Sequence, residues 1–167
     1  MKATRNRSAW ALAAVLAAAS LSAAPAWGMG AVRTEEAEKM LSAYIMALNA
    51  HMPPKSDPGA LAGLFTEDAV QTQPFGDRPG MQQRGRQALA DFFAGLGREW
   101  STWVLVESSR TVQGGKAVWE GVVQGTRKET GEEVRMPVVF ALMFGRDGKV
   151  VSSRVYMDRE AIAREIR

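Results

Sequence analysis

From Ser101 onward apolar side chains recur at every second position, and they do so in four successive stretches. Residues 102–112, 116–126, 133–144 and 150–157 each read as a strand. They are separated by Gly114-Gly115, Thr130-Gly131 and Asp147-Gly148. Links this short and this rich in turn residues join strands as hairpins, so the C-terminal half is predicted to be an antiparallel meander. The rest of the chain must then supply cover for a sheet.

Residues 34–49 carry Ala37, Met40, Leu41, Tyr44, Ile45 and Leu48 at three- and four-residue intervals, the single apolar stripe of a helix. Thr34 is placed to cap it, Glu35 and Glu36 suit its positive end, and His51-Met52-Pro53-Pro54 stops it. Asp57-Pro58 opens a second, short helix expected to reach about Phe65. Residues 86–96 form a third, with Leu89, Phe92, Phe93 and Leu96 on one side and Gly95 and Gly97 marking its end. A last helix is predicted over residues 159–166, capped by Asp158.

Between the second and third helices lies LFTEDAVQTQPFGDRPG, residues 64–80. It reads as a helix end, an acidic turn at Glu67 and Asp68, a strand bringing Gln71 and Gln73 onto one face, and a Pro/Gly loop holding Asp77 and Arg78. Helices first and four strands last make the class α+β: a curved, mainly antiparallel sheet packed against three to four helices. A sheet covered on one side is normally polar on the other. Here Val118 and Val122 lie opposite Trp119 and Val123, and Pro137, Val139, Ala141 and Met143 lie opposite Met136, Val138, Phe140 and Leu142. The outer face is therefore expected to be covered by a second copy in a homodimer.

Composition narrows the function classes. Lys2, Arg5 and Arg7, the small apolar run 9–19 and Ala24-Pro25-Ala26 form a secretory signal peptide over residues 1–26. The apolar run is shorter than the roughly 20 residues of a membrane span. A short exposed segment, 27–32, and one domain, 33–167, would follow. Cleavage leaves 18 basic against 18 acidic residues, so no net positive field remains for nucleic acid, and no membrane partner is expected. With no Cys and one His, His51 in a loop, disulfides, thiolate chemistry and multi-His zinc sites are excluded, and no cofactor or metal is expected. The location expected is periplasmic or extracellular.

Several segments, in order along the chain, are similar to a known superfamily: AYIMALNA (43–50), LFTEDAV (64–70), PFG (74–76), RQALADFF (86–93), DGKVV (147–151) and VYMDR (155–159). Together they resemble the cone-shaped fold shared by nuclear transport factor 2, ketosteroid isomerase, limonene epoxide hydrolase and SnoaL-type polyketide cyclases, with the SnoaL-like branch the nearest in pattern. The resemblance implies a cone-shaped roll around an internal pocket.

It also implies where catalytic groups would lie. The isomerases' first-helix Tyr corresponds to Tyr44, and their general base, just before the Pro of the first strand, corresponds to Gln73. A carboxamide cannot take up a proton at ordinary pH. Their second oxyanion donor falls near Phe140. The acid that epoxide hydrolases and cyclases carry on the last strand falls at Val155, the cyclase His falls near Ala141, and the hydrolase Arg-x-Asp pair has no counterpart in residues 118–126. Tyr44 and Gln73 remain as catalytic candidates. The pocket expected from the resemblance adds Gln71, Phe75, Trp119 and Val123, with Phe140, Val155 and Met157 beyond them, while Gly121 and Gly125 either enlarge it or relieve strand twist. Tyr44 is equally consistent with a core Tyr whose hydroxyl finds a backbone partner.

These features lead to an exported domain that binds a small hydrophobic molecule. The alternatives are an isomerase, cyclase or hydratase acting through Tyr44 and Gln73, and an interaction or dimerisation module without a ligand.

Overall fold

The computed structural model describes residues 32–75 and 78–157, and the side chains of all of these except 74–81. The expected signal peptide, the final helix and Asp158 lie outside the described residues. The elements are α1 (Thr34–His51), α2 (Pro58–Gly63), β1 (Phe65–Phe75), β2 (Arg78–Arg84), α3 (Gly85–Glu99), β3 (Trp100–Gln113), β4 (Lys116–Arg127), β5 (Glu133–Phe144) and β6 (Val150–Met157).

The strands form one open sheet in the order β2-β1-β6-β5-β4-β3. Strands β3 to β6 are the predicted meander, and β5 and β6 have the expected bounds. The last strand then pairs in parallel with β1, which makes the sheet mixed. Burial alternates along β5 and much of β4, so Trp119, Val123, Val134, Met136, Val138, Phe140 and Leu142 turn to the helical side. Gly114, Gly131 and Gly148, all at positive φ, sit one in each of the three links of the meander, where an L side chain would be strained.

The structure corrects several local expectations. Helix α1 starts after Arg33, and Glu36 accepts from the Arg33 N–H. Thr34 instead uses its hydroxyl to accept from Gly114 N at 3.0 Å, tying α1 to the β3–β4 turn. His51 is the last residue of α1 and not a loop residue. Asp57 does cap α2, accepting from Ala60 N at 2.9 Å, but the helix stops at Gly63. Glu67 and Asp68 belong to β1: Glu67 forms an ion pair with Arg86, whose Nε also donates to the Phe65 carbonyl at 2.8 Å. Helix α3 continues through Gly95 and Gly97 to Glu99. The Pro/Gly loop proves to be an edge strand, β2, where one row of backbone groups needs no ladder partner and Pro79 is tolerated.

Two contacts set the angle of α1. Asn49 accepts from Leu105 N at 2.8 Å and donates to Leu105 O at 3.2 Å. Because β3 is the other edge of the sheet, those groups have no ladder partner on that side. Farther along β3, the ladder shifts between Glu107 and Ser109, which brings Glu107 and Arg110 to the helical side together.

Candidate functional site

The C-terminal halves of α1 and α3 and the ends of β1 and β6 enclose a cavity of about 40 Å³. Tyr44, Leu48 and Met52 line it from α1, and Phe92, Phe93 and Leu96 from α3. Trp103, Leu105, Val138 and Phe140 form the sheet wall, with Val155 and Met157 from β6 and Gln71 and Gln73 from β1. Of the residues expected in a pocket, Tyr44, Gln71, Gln73, Phe140, Val155 and Met157 come together here. Trp119 and Val123 are fully buried but do not border the cavity. Trp119 lies one layer behind, stacked on Phe140 at 5.4 Å. Phe75 ends β1, and its side chain is outside the description.

Gly121 and Gly125 do not enlarge the cavity. The Trp119 ring lies over Gly121 and the Trp100 ring over Gly125, so the space the missing side chains leave is already taken.

Four polar residues are buried in the described chain: Gln71, Gln73, Gln83 and Ser153. They occupy three neighbouring strands. Gln71 is in register with Gln83 on one side and with Ser153 on the other. Each holds a side-chain atom with no hydrogen-bond partner among the described residues: Nε2 of Gln71, Nε2 of Gln73, Oε1 of Gln83 and Oγ of Ser153. A buried polar group left unpaired costs about 1–3 kcal/mol, so such atoms are exceptional in a folded protein. Two of the four belong to residues that line the cavity, both at 2% exposure.

Tyr44 packs edge-on against Phe65 at 6.0 Å and Phe140 at 6.3 Å. Burial pushes its phenol well above the usual tyrosine range, so it stays protonated and is suited to donating a hydrogen bond rather than to giving up its proton. Among the described lining residues there is no carboxylate, Lys, Arg or His. The described residues also hold no group of three or more His, Cys, Asp or Glu able to hold a metal ion. The wall thus offers neutral donors on an apolar, aromatic surface.

Sequence reasoning missed the lining from Leu48, Met52, Phe92, Phe93, Leu96, Trp103, Leu105 and Val138. Helical spacing from Tyr44 pointed to Leu48, and alternation from Phe140 pointed to Val138. Ser153 and Gln83 carried no such signal, because their burial follows from register.

Behind the cavity, Trp119 Nε1 donates to Glu107 at 2.7 Å, and Arg110 holds the same carboxylate through Nε at 2.7 Å while reaching Ser42 Oγ at 2.8 Å. Arg110 chiefly, and Trp119 besides, hold the Glu107 carboxyl below the usual range, against partial desolvation. A folded-state pKa below the unfolded one gives stability that is full above the unfolded value, about 4.3, and lost as pH falls through the folded value. Glu107→Gln is therefore expected to flatten the acid side of the stability–pH curve. Parallel curves for the variant and wild type, by urea unfolding from neutral pH to pH 3, would refute the coupling.

An open, mixed sheet rolled against helices around an internal cavity is the nuclear transport factor 2-like α+β cone fold. Solved structures agree. An NTF2-like protein from Burkholderia xenovorans matches with 24% identity over 80% of this chain and 97% of that one, at a TM-score of 0.60. A candidate SnoaL-like polyketide cyclase from Jannaschia matches with 15% identity over 78% and 90%, at 0.64. An epoxide hydrolase/cyclase-like enzyme of pyran ring formation in the polyether salinomycin matches with 18% identity over 75% and 93%, at 0.63. No curated protein matches the sequence. The SnoaL-like domain profile matches residues 41–153, and the chain belongs to that family.

Proposed function

We propose that the domain binds a small, neutral, largely apolar molecule in this cavity, held by a carbonyl or ether oxygen that accepts from Gln71 and Gln73. The carrying observation is the pair of buried carboxamide nitrogens without partners on an otherwise apolar wall. A ligand oxygen recovers what their desolvation costs. A lining without a cationic side chain gives an anion no counter-charge.

Titration of the protein with ketones graded in size, from butan-2-one to terpenoid, steroid and aromatic polyketide ketones, followed by Trp emission, is expected to saturate for at least one of them. Gln73→Leu is expected to weaken that binding about tenfold, the loss of one hydrogen bond to a buried acceptor. Flat titrations across the panel, or equal affinity in the variant, would overturn the assignment.

A second reading makes the site catalytic. Tyr44, kept protonated, and Gln73 would polarise a substrate carbonyl for isomerisation, cyclisation or hydration of a substrate that needs no strong base. The cyclase and the epoxide hydrolase/cyclase-like enzyme among the structural neighbours favour it. Turnover is then expected to drop about a hundredfold in Tyr44→Phe, and unchanged turnover removes Tyr44 from the chemistry.

The outer sheet face supports a homodimer. Val104, Val106, Val118, Met143 and Tyr156 are exposed there, and Val139 is half-buried among them. Sedimentation is expected to show a dimer at micromolar concentration and a folded monomer for Val139→Asp. A monomeric wild type would leave the apolar face without that explanation.

A further inference from the structure

The cavity beside Gln71 and Gln73, about 40 Å³, is much smaller than the ~150 Å³ of an apolar cavity that takes benzene. A second cavity of about 70 Å³ lies next to it, and Leu96, Trp103 and Met157 border both. The far walls of the second are Trp100 and Met136, and its rim carries Glu99 and Arg127. The rim charges are already engaged. Arg127 reaches the Glu99 carboxylate at 3.4 Å and lies over the Trp100 ring at 4.3 Å.

The shared residues differ in how firmly they are held. Trp103 is buried, stands edge-on to Trp100 at 5.0 Å, and donates its backbone N–H to Pro53 O at 3.2 Å. Met157 is half-buried at the end of β6, and its unbranched side chain turns about three bonds. Leu96 is half-buried on the last turns of α3. The division between the cavities is thus made largely by side chains that can move without disturbing the sheet.

We propose that the two cavities are the halves of one elongated ligand site, divided in this structure by Met157 and Leu96; even joined they fall short of the volume that takes benzene, so the ligand fills the space these two side chains vacate as they turn aside, and the site presupposes the ligand reading of Gln71 and Gln73. Its ligand is an uncharged molecule with an acceptor oxygen at one end and an unbranched or flat apolar extension at the other. The oxygen lies at the carboxamides, and the extension passes Met157 to rest among Trp100, Trp103 and Met136. Those walls are aromatic or thioether and match an apolar tail, and the paired rim charges offer nothing to a charged one.

The test is a series of methyl ketones from butan-2-one to decan-2-one, titrated into the whole chain and read by Trp emission. Affinity is expected to rise about three- to fourfold per methylene beyond pentan-2-one, the gain from burying each group. Met136→Trp, whose indole fills the second cavity, is expected to bring the ratio between decan-2-one and pentan-2-one toward one. Met157→Ala is expected to speed association of decan-2-one. Short ketones that bind with an affinity flat beyond pentan-2-one would overturn the joined site and leave the Gln71 and Gln73 assignment standing. Binding by no member of the series would overturn both. Should Met136→Trp fail to fold, Met157→Ala decides: an unchanged association rate for decan-2-one excludes passage at Met157.

Discussion

Gly121→Ala is expected to cost about 3 kcal/mol or more, a large share of the roughly 5–15 kcal/mol that holds a domain folded. A Cβ at this position would lie 2.3 Å from Trp119 Cη2 and 2.3 Å from the Val106 carbonyl oxygen. Trp119 could yield only by leaving its stack on Phe140 and its bond to Glu107. The Val106 oxygen belongs to the backbone of the paired strand, one residue before the register shift, and has no rotamer to change. Adding Trp119→Phe to the same chain is therefore expected to recover little, since it relieves only the ring contact. Gly131→Ala is the control. It has positive φ, and a methyl group there would meet nothing within 4 Å, so its cost should stay near ~1 kcal/mol. A urea midpoint for Gly121→Ala close to that of wild type would mean that β3 and β4 can part at this point without penalty.

Phe65→Ala is expected to cost about 3–5 kcal/mol, the usual loss on emptying an aromatic site in a core that cannot fully collapse. Phe65 has no exposed surface and touches Tyr44 edge-on and Phe93 at 6.1 Å. Both neighbours line the cavity, so the loss carries a second signature. Whatever fraction stays folded should bind the proposed ligand more weakly, because Tyr44 has lost one of the two rings that hold it. Phe65→Leu, which keeps most of the volume, should cost less and retain binding. A loss below about 1 kcal/mol in Phe65→Ala, by chemical denaturation with an unchanged slope, would contradict the packing described.

The meander was legible because its segments have strand length and strand-forming residues and each link carries a glycine that tolerates positive φ. Strand β2 was not legible. Its residues, RPGMQQR, mix Pro, Gly and long polar side chains, and only an edge position lets such a segment serve as a strand. The same distinction divides the candidate site. Alternation shows which face a residue turns to, which is why Gln71 and Gln73 could be grouped and why both lie inside. It does not show how far along the cone a residue sits, and Trp119 and Val123 face the right way at the wrong depth. Gln83 and Ser153 depend on which strand lies beside β1. That is decided by β6 pairing in parallel with it, a contact between distant parts of the chain that no local pattern carries.

The insertion of β6 between β1 and β5 has a consequence for the order of assembly. A chain ending before Val150 holds a hairpin, β1 with β2, and a meander, β3 to β5, with no strand to join them. The partners of β6 on the β1 side lie about eighty positions earlier in sequence, as in Gln71 with Ser153, so this one pairing carries a larger loop-closure cost than the hairpins of the meander. The cavity takes walls from both halves and from β6 itself. A ligand of the proposed kind would therefore recognise only the completed sheet, and its binding would draw the equilibrium toward the joined form by mass action.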